Sequence, residues 1–176
     1  MPVHLRGSLP GSAGLGVAVA LLLASCEPAE PAVELGTGLY AFEPLVEGEP
    51  IEVVFGPQGG YHLEGSIRVQ GLQAGDAESL SDPSNPTIRF EVLLDGESIL
   101  LSGDYTQGLE VAPVEDRPWS HQMIGRRVIL DIEDDDPLVD EQVELSVEVA
   151  DVDGTVVSDL RLLVVEKHPS NDTNEF

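Results

Sequence analysis

The chain has a single cysteine, Cys26, among its 176 residues. One cysteine cannot form a disulfide within the chain, and it cannot supply the several thiolates of a Cys-based zinc site. The folded part must therefore be stabilised by its own apolar core. About 150 residues are enough for such a core.

Basic residues are also scarce. Eight Lys and Arg stand against 33 Asp and Glu, which gives a formal net charge of −25 at pH 7. Nucleic-acid binding needs clustered Lys and Arg to neutralise phosphates, so this class of function is excluded. The same charge opposes adsorption to an anionic membrane surface, and it favours solubility and attraction of cations. A solvated acidic coat is the simplest interpretation of the acidic residues.

The motifs of common enzyme classes are missing from the sequence. It holds no G-x-S-x-G, no H-E-x-x-H and no P-loop, and it has only four histidines. Carboxylates for glycoside hydrolysis are abundant, but no spacing selects one pair of them. We therefore predict that the protein is not an enzyme and that it needs no cofactor, with calcium as the exception considered below.

The sequence has one long apolar run, at residues 15–23. This run is shorter than the roughly 20 apolar residues of a membrane-spanning helix. It follows a short basic start that contains Arg6, and it leads into the small residues Ala24 and Ser25. Residues 1–25 thus have the three parts of a secretory signal peptide, and they include none of the acidic residues.

The tetrad Leu23-Ala24-Ser25-Cys26 resembles the lipobox of bacterial lipoprotein precursors. In that family the cysteine thiol receives a diacylglyceryl group, the chain is cut before the cysteine, and the new amine is acylated. The resemblance implies that Cys26 is the lipid-attachment site and that palmitate-type chains hold the mature protein on a membrane of the cell envelope, outside the cytoplasm. Inner and outer membrane both remain open.

Composition divides the rest of the chain into three parts. Residues 26–35 are the lipidated cysteine and an acidic linker with prolines, residues 36–166 form a β-domain, and residues 167–176 are a polar tail that we predict to be disordered. The linker reaches at most roughly 30 Å. The domain should therefore lie close to the membrane.

Apolar side chains in the domain recur with a period of two, which is typical of half-buried strands. In residues 61–70, Leu63, Ile67 and Val69 share one face, and His62 lies on the polar face. For the last strand, residues 156–165, the pattern predicts an inward face of Leu160, Leu162 and Val164.

Short strands separated by turn signals such as Asp95-Gly96 predict one all-β domain, an immunoglobulin- or fibronectin-III-like antiparallel β-sandwich of about 7–9 strands. Residues 54–62 and 150–155 are similar to a pattern in uncharacterised bacterial lipoproteins. That resemblance implies location and fold but no activity.

Alternate connections of such a sandwich lie at the same end. Counting strands assigns connections 43–50, 73–86, 103–107 and 133–142 to one end, and connections 56–60, 95–97, 113–126 and 150–154 to the other. The first end carries the candidate calcium ligands Glu133, Asp134, Asp135, Asp136 and Asp140. Calcium takes six to eight oxygen ligands, which crowded carboxylates can supply. A solvated acidic loop without an ion is the alternative.

A second candidate site is a binding loop at residues 113–125, which holds Trp119, the chain's only tryptophan, and His121. Binding residues often lie on loops of a rigid scaffold. The alternative is that Trp119 folds back over the end of the sandwich. A third candidate is a transition-metal site of His62, His121 and Met123.

The sequence therefore predicts an exported lipoprotein, anchored in a membrane through Cys26 and acting as a non-catalytic structural or interaction module of the bacterial envelope. Its candidate partner besides the membrane is an envelope protein. The alternatives are a calcium- or small-ligand-binding sandwich and an envelope enzyme.

Overall fold

The structure is a computed structural model that describes Met1 and residues 29–172. Residues 29–172 form twelve strands and two short 3-10 helices, Val114–Asp116 and Pro169–Asp172. The strands are β1 Ala32–Thr37, β2 Glu43–Pro44, β3 Pro50–Phe55, β4 Tyr61–Gln70, β5 Thr87–Leu94, β6 Glu97–Ser98, β7 Leu100–Ser102, β8 Asp104–Thr106, β9 Glu110–Val111, β10 His121–Leu130, β11 Gln142–Ala150 and β12 Val156–Lys167. The predicted all-β class is confirmed.

The strands pack as two layers that share one hydrogen-bonded network. In the first layer, β4 pairs with β10 on one side and with β1 and β3 on the other. The second layer has the order β3-β12-β11-β5. β3 therefore belongs to both layers. Its parallel pairing with β12 differs from the other pairs of described strands, which are antiparallel as predicted. The neighbours β4–β10 and β12–β11–β5 are those of an immunoglobulin-like sandwich.

The core is filled by side chains from both layers. Phe90 of β5 crosses the interior and lies against Gly65 of β4, where an added Cβ would be 3.0 Å from the ring and 2.8 Å from Val128 of β10. Leu63, Gly65, Ile67 and Val69 of β4 point inward and are buried, as the alternation predicts. A glycine is needed at position 65 because the Phe90 ring occupies the space of a side chain.

The polar face of β4 is also covered, which the sequence did not indicate. His62 is 5% exposed and Ser66 is 0% exposed. The segment between β1 and β2 lies over this face, where the Ser66 hydroxyl donates to the carbonyl of Gly38 at 3.1 Å and accepts from the amide of Gly125 at 2.9 Å.

In β12 the predicted inward face is wrong. Leu163 and Val165 are fully buried, whereas Leu160 is 44% exposed. The reason is an ion pair between Asp159 and Arg161 on the inward side. Asp159 accepts a hydrogen bond from the amide of Leu35 in β1 at 2.9 Å, and Arg161 donates to the carbonyl of Leu45 at 3.1 Å.

The chain after the sandwich is ordered as far as the structure describes it, whereas we predicted a disordered tail from residue 167. β12 continues to Lys167 and is followed by the 3-10 helix at Pro169–Asp172. The side chain of Asn171 explains this order, because it accepts from the amide of Phe55 at 2.8 Å and donates to the carbonyl of Val53 at 2.9 Å. Residues 173–176 lie outside the described part.

Candidate functional site

The loops gather at two ends of the sandwich. We call the end that contains residues 29–32, where the described segment starts, the near end, and the opposite end the far end. The near end consists of residues 29–32, 70–75, 110–121 and 150–156, since Val69 pairs with both Val33 and His121, and the amide of Gln73 donates to Asp151 at 3.0 Å. The far end consists of residues 56–60, 95–101 and 131–141. The prediction that connections 73–86 and 133–142 share an end is wrong. It assumed that each strand crosses the sandwich, whereas the strands of two and three residues do not cross it.

The far end contains the predicted calcium loop. Carboxylate oxygens of Asp134, Asp135 and Asp136 lie within 4.8 Å of one another, and Asp135 is only 2% exposed. The amide of Asn171 donates to Asp135 at 2.7 Å, and the ammonium of Lys167 lies 3.4 Å from both Asp135 and Asp136. The Lys167 ammonium therefore lies beside the carboxylates that would have to bind a cation.

The other two proposed calcium ligands, Glu133 and Asp140, are not part of this three-carboxylate group among the described residues. The chain turns at Leu138, whose side chain is buried and whose amide donates to the carbonyl of Asp135 at 2.8 Å. Asp140 follows this turn with a positive φ of 68°.

The acidic loop also affects the pKa of Tyr61. Burial raises this pKa, and the negative charges of Asp135 and Asp134 raise it further.

Trp119 packs on the outer face of the first layer. The Arg68 guanidinium lies 5.1 Å from the centre of the Trp119 ring and 4.5 Å from the centre of the Phe42 ring. Glu34 binds the same guanidinium, and Asp116 lies 3.9 Å from it. This stack is a cation–π arrangement that ties the Trp119 loop and the β1–β2 segment to β4. Trp119 therefore neither plugs the end of the sandwich nor projects freely from it.

The predicted histidine and methionine metal site is not assembled. His62 pairs with Ile129 and His121 pairs with Val69, so the two histidines lie at opposite ends of the β4–β10 ladder. Met123 is a core residue with 2% exposure. Burial lowers the pKa of His121 below its ordinary value, which favours the neutral imidazole, and its Nδ1 lies 3.1 Å from the Ser120 hydroxyl.

Asp151 forms a polar corner at the near end. Its carboxylate accepts from the amides of Thr155 at 2.9 Å, Gln73 at 3.0 Å and Asp153 at 3.0 Å. Burial alone raises the pKa of Asp151, but these amide donors outweigh burial and lower it below the ordinary value of 3.8. The carboxylate thus serves the turn at residues 151–154, which the sequence identified as a hairpin signal.

A cavity of about 610 Å³ beside β3 was missed by the sequence reasoning. Its wall combines Leu39, Ile51 and Val54 with carboxylates and one imidazole. The charged or ionisable residues are Glu43, Glu52, Glu64, Glu166 and His168. One carboxylate oxygen of Glu64 is buried and has no hydrogen-bond partner within the described part of the chain. Five elements contribute to this wall, and no sequence motif brings them together.

Comparison with known proteins gave no match to a family model, to a curated protein or to a solved structure. Among the described residues, no helix is long and apolar enough to cross a membrane. Residues 2–28, which contain Cys26, the lipobox and all of the predicted signal peptide except Met1, lie outside the described residues.

Proposed function

We propose that the protein is an exported lipoprotein, anchored in a membrane of the bacterial envelope by acyl chains on Cys26. The observation that carries the proposal is the lipobox tetrad at residues 23–26. It ends the apolar run and precedes the part of the chain that holds all the acidic residues. β1 begins at Ala32, only six residues after the cysteine. A lipidated cysteine would therefore hold the sandwich directly above a bilayer.

The domain acts in this proposal as a non-catalytic structural or interaction module. Three buried or half-buried aspartates support this role because each is bonded within the fold, in contrast to Glu64, one carboxylate oxygen of which has no hydrogen-bond partner among the described residues. Asp135 binds Asn171, Asp151 caps the hairpin turn, and Asp159 binds Arg161 and β1. A general acid or base needs a carboxyl group free to exchange a proton with a substrate.

The alternative is a calcium- or small-ligand-binding domain. The cavity beside β3 favours a small cationic ligand, since its volume is within the range of ligand sites and its wall carries several carboxylates. Calcium at residues 134–136 is the weaker form of this alternative, because the ion would have to displace the Lys167 ammonium.

Metabolic labelling with an alkyne analogue of palmitate tests the proposal. The native chain should carry the label and fractionate with membranes, and Cys26→Ser should lose both properties. Gln58→Ala serves as the control, because it changes an exposed turn residue outside the lipobox and should keep the label. Label that persists in Cys26→Ser would contradict the proposed anchor.

A further inference from the structure

We infer that the near end of the sandwich faces the bilayer and that its exposed valines contact the lipid surface. The inference rests on the proposed anchor at Cys26, and it adds an orientation and a contact surface to it. The contact surface consists of four side chains, Val111, Val114, Val152 and Val156.

The start of the described chain is fixed to the near end. The Gln70 side chain donates to the carbonyl of Glu30 at 3.1 Å. Ala29 packs so closely on Gly71 that an added Cβ there would lie 2.7 Å from the Ala29 carbonyl oxygen. Gly71 also has a positive φ of 67°, so this close approach depends on glycine. The direction in which the chain enters the domain is therefore set by packing.

The connection from this point to Cys26 is short. Three Cα–Cα steps separate Ala29 from Cys26, which span at most about 11 Å. The ten residues of β4 separate the two ends by roughly 33 Å. Acyl chains on Cys26 would thus hold the near end at the bilayer and leave the far end pointing away from it.

Four of the ten exposed large apolar side chains of residues 29–172 lie at the near end, where the anchor would be. Val111 is 76% exposed, Val114 is 71% exposed, and Val152 and Val156 are each 56% exposed. Val111 and Val114 line a surface pocket together with Trp119, whose ring is amphipathic and suits a membrane–water boundary. Exposed apolar surface is a feature of interaction sites, and the short tether makes the lipid surface the partner that these valines would meet.

The charge distribution agrees with this orientation. The far end carries the densest run of acid, residues 133–136, together with Asp131, Asp140 and Glu141, and the orientation holds these charges away from anionic lipid. The near end also carries acidic residues, namely Glu30, Glu110, Glu115, Asp116, Asp151 and Asp153, so the contact should weaken as the anionic lipid content of the vesicles rises.

The test uses the full lipidated chain in phosphatidylcholine vesicles. After lipidation the native chain has no free thiol, so a single introduced cysteine can be labelled with an environment-sensitive fluorophore. Val114→Cys probes the near end. Leu101→Cys is the matched control, because Leu101 is an apolar side chain of the far end with a similar exposure of 64%. We expect a blue shift on vesicles for the Val114 label and none for the Leu101 label.

Vesicle flotation distinguishes a wrong anchor assignment from a wrong orientation. A chain that does not float has no anchor, which overturns both the proposed function and this inference. A chain that floats while the Val114 label keeps its aqueous emission, or while both labels shift equally, contradicts the orientation alone. A shift without vesicles that grows with protein concentration would assign the valines to a second copy of the chain.

A second measurement needs no substitution. Trp119 is the chain's only tryptophan, and brominated lipids quench tryptophan by contact. The anchored native chain should be quenched more strongly when bromine is placed near the headgroup than when it is placed near the bilayer centre. Equal fluorescence with and without brominated lipid would contradict the inference.

Discussion

Removal of the Asn171 side chain should destabilise the whole domain, although this residue lies beyond the last strand. Its amide nitrogen donates to the carbonyl of Val53 at 2.9 Å and to the carboxylate of Asp135 at 2.7 Å, and its oxygen accepts from the amide of Phe55 at 2.8 Å. Asn171→Ala deletes all three bonds and leaves the buried Asp135 carboxylate with one donor fewer.

The expected loss can be worked from these bonds. A neutral hydrogen bond contributes about 1 kcal/mol net and a bond to a charged group about 2 kcal/mol. Water can replace part of these bonds because Asn171 is only half-buried, so we expect a loss of about 2–3 kcal/mol. For a chain of this size, that loss lowers the melting midpoint by roughly 5–10 °C.

Thermal and urea unfolding of the purified chain would measure the loss. Gln58→Ala is the matched control, since it removes an exposed amide from a turn at the same end of the sandwich and should change stability by less than about 0.5 kcal/mol. Equal stabilities of Asn171→Ala and Gln58→Ala would refute the role of Asn171 as the contact that fixes the end of the chain.

Three further predictions concern packing, calcium and pH. Gly65→Ala should cost about 1–3 kcal/mol in urea unfolding, because the added Cβ meets Val128 and the Phe90 ring; an unchanged midpoint would contradict the packing. Lys167→Gln should give a larger calcium-dependent rise in melting midpoint than the native chain, because it removes the ammonium from the acidic loop; equal responses would show that this ammonium does not limit binding. The lowered pKa of Asp151 contributes stability above the ordinary carboxyl value of 3.8, and that contribution is lost as the pH falls through 3.8 towards the lower folded-state pKa. Asp151→Asn should therefore flatten this part of the stability–pH curve, and a curve that keeps its slope would contradict the assignment.

The fold could be predicted where the alternation of apolar and polar residues was clean, and β4 and β11 are the examples. β12 shows the limit of the pattern. Its charged residues point inward because Asp159 and Arg161 bind each other and reach the backbone of Leu35 and Leu45. These partners are more than 100 residues away in the sequence, so alternation within the strand could not identify them.

The candidate sites were harder to predict for the same reason. The acidic loop was identified from its run of aspartates, but the Lys167 and Asn171 side chains that bind it come from a segment that resembles a polar tail. The Arg68 stack joins Phe42 and Trp119 from two connections, and neither connection predicts the other. Contacts between distant loops depend on the three-dimensional fold, which composition and spacing do not specify.

The mass of the N-terminal peptide, measured on protein purified from the membrane fraction, tests the lipid anchor most directly. We predict that the mature chain begins at Cys26 and that this residue carries a diacylglyceryl group and an acylated amine. An N-terminal peptide that begins elsewhere, or that contains Cys26 with a free thiol, would contradict the lipoprotein assignment and with it the proposed orientation of the domain.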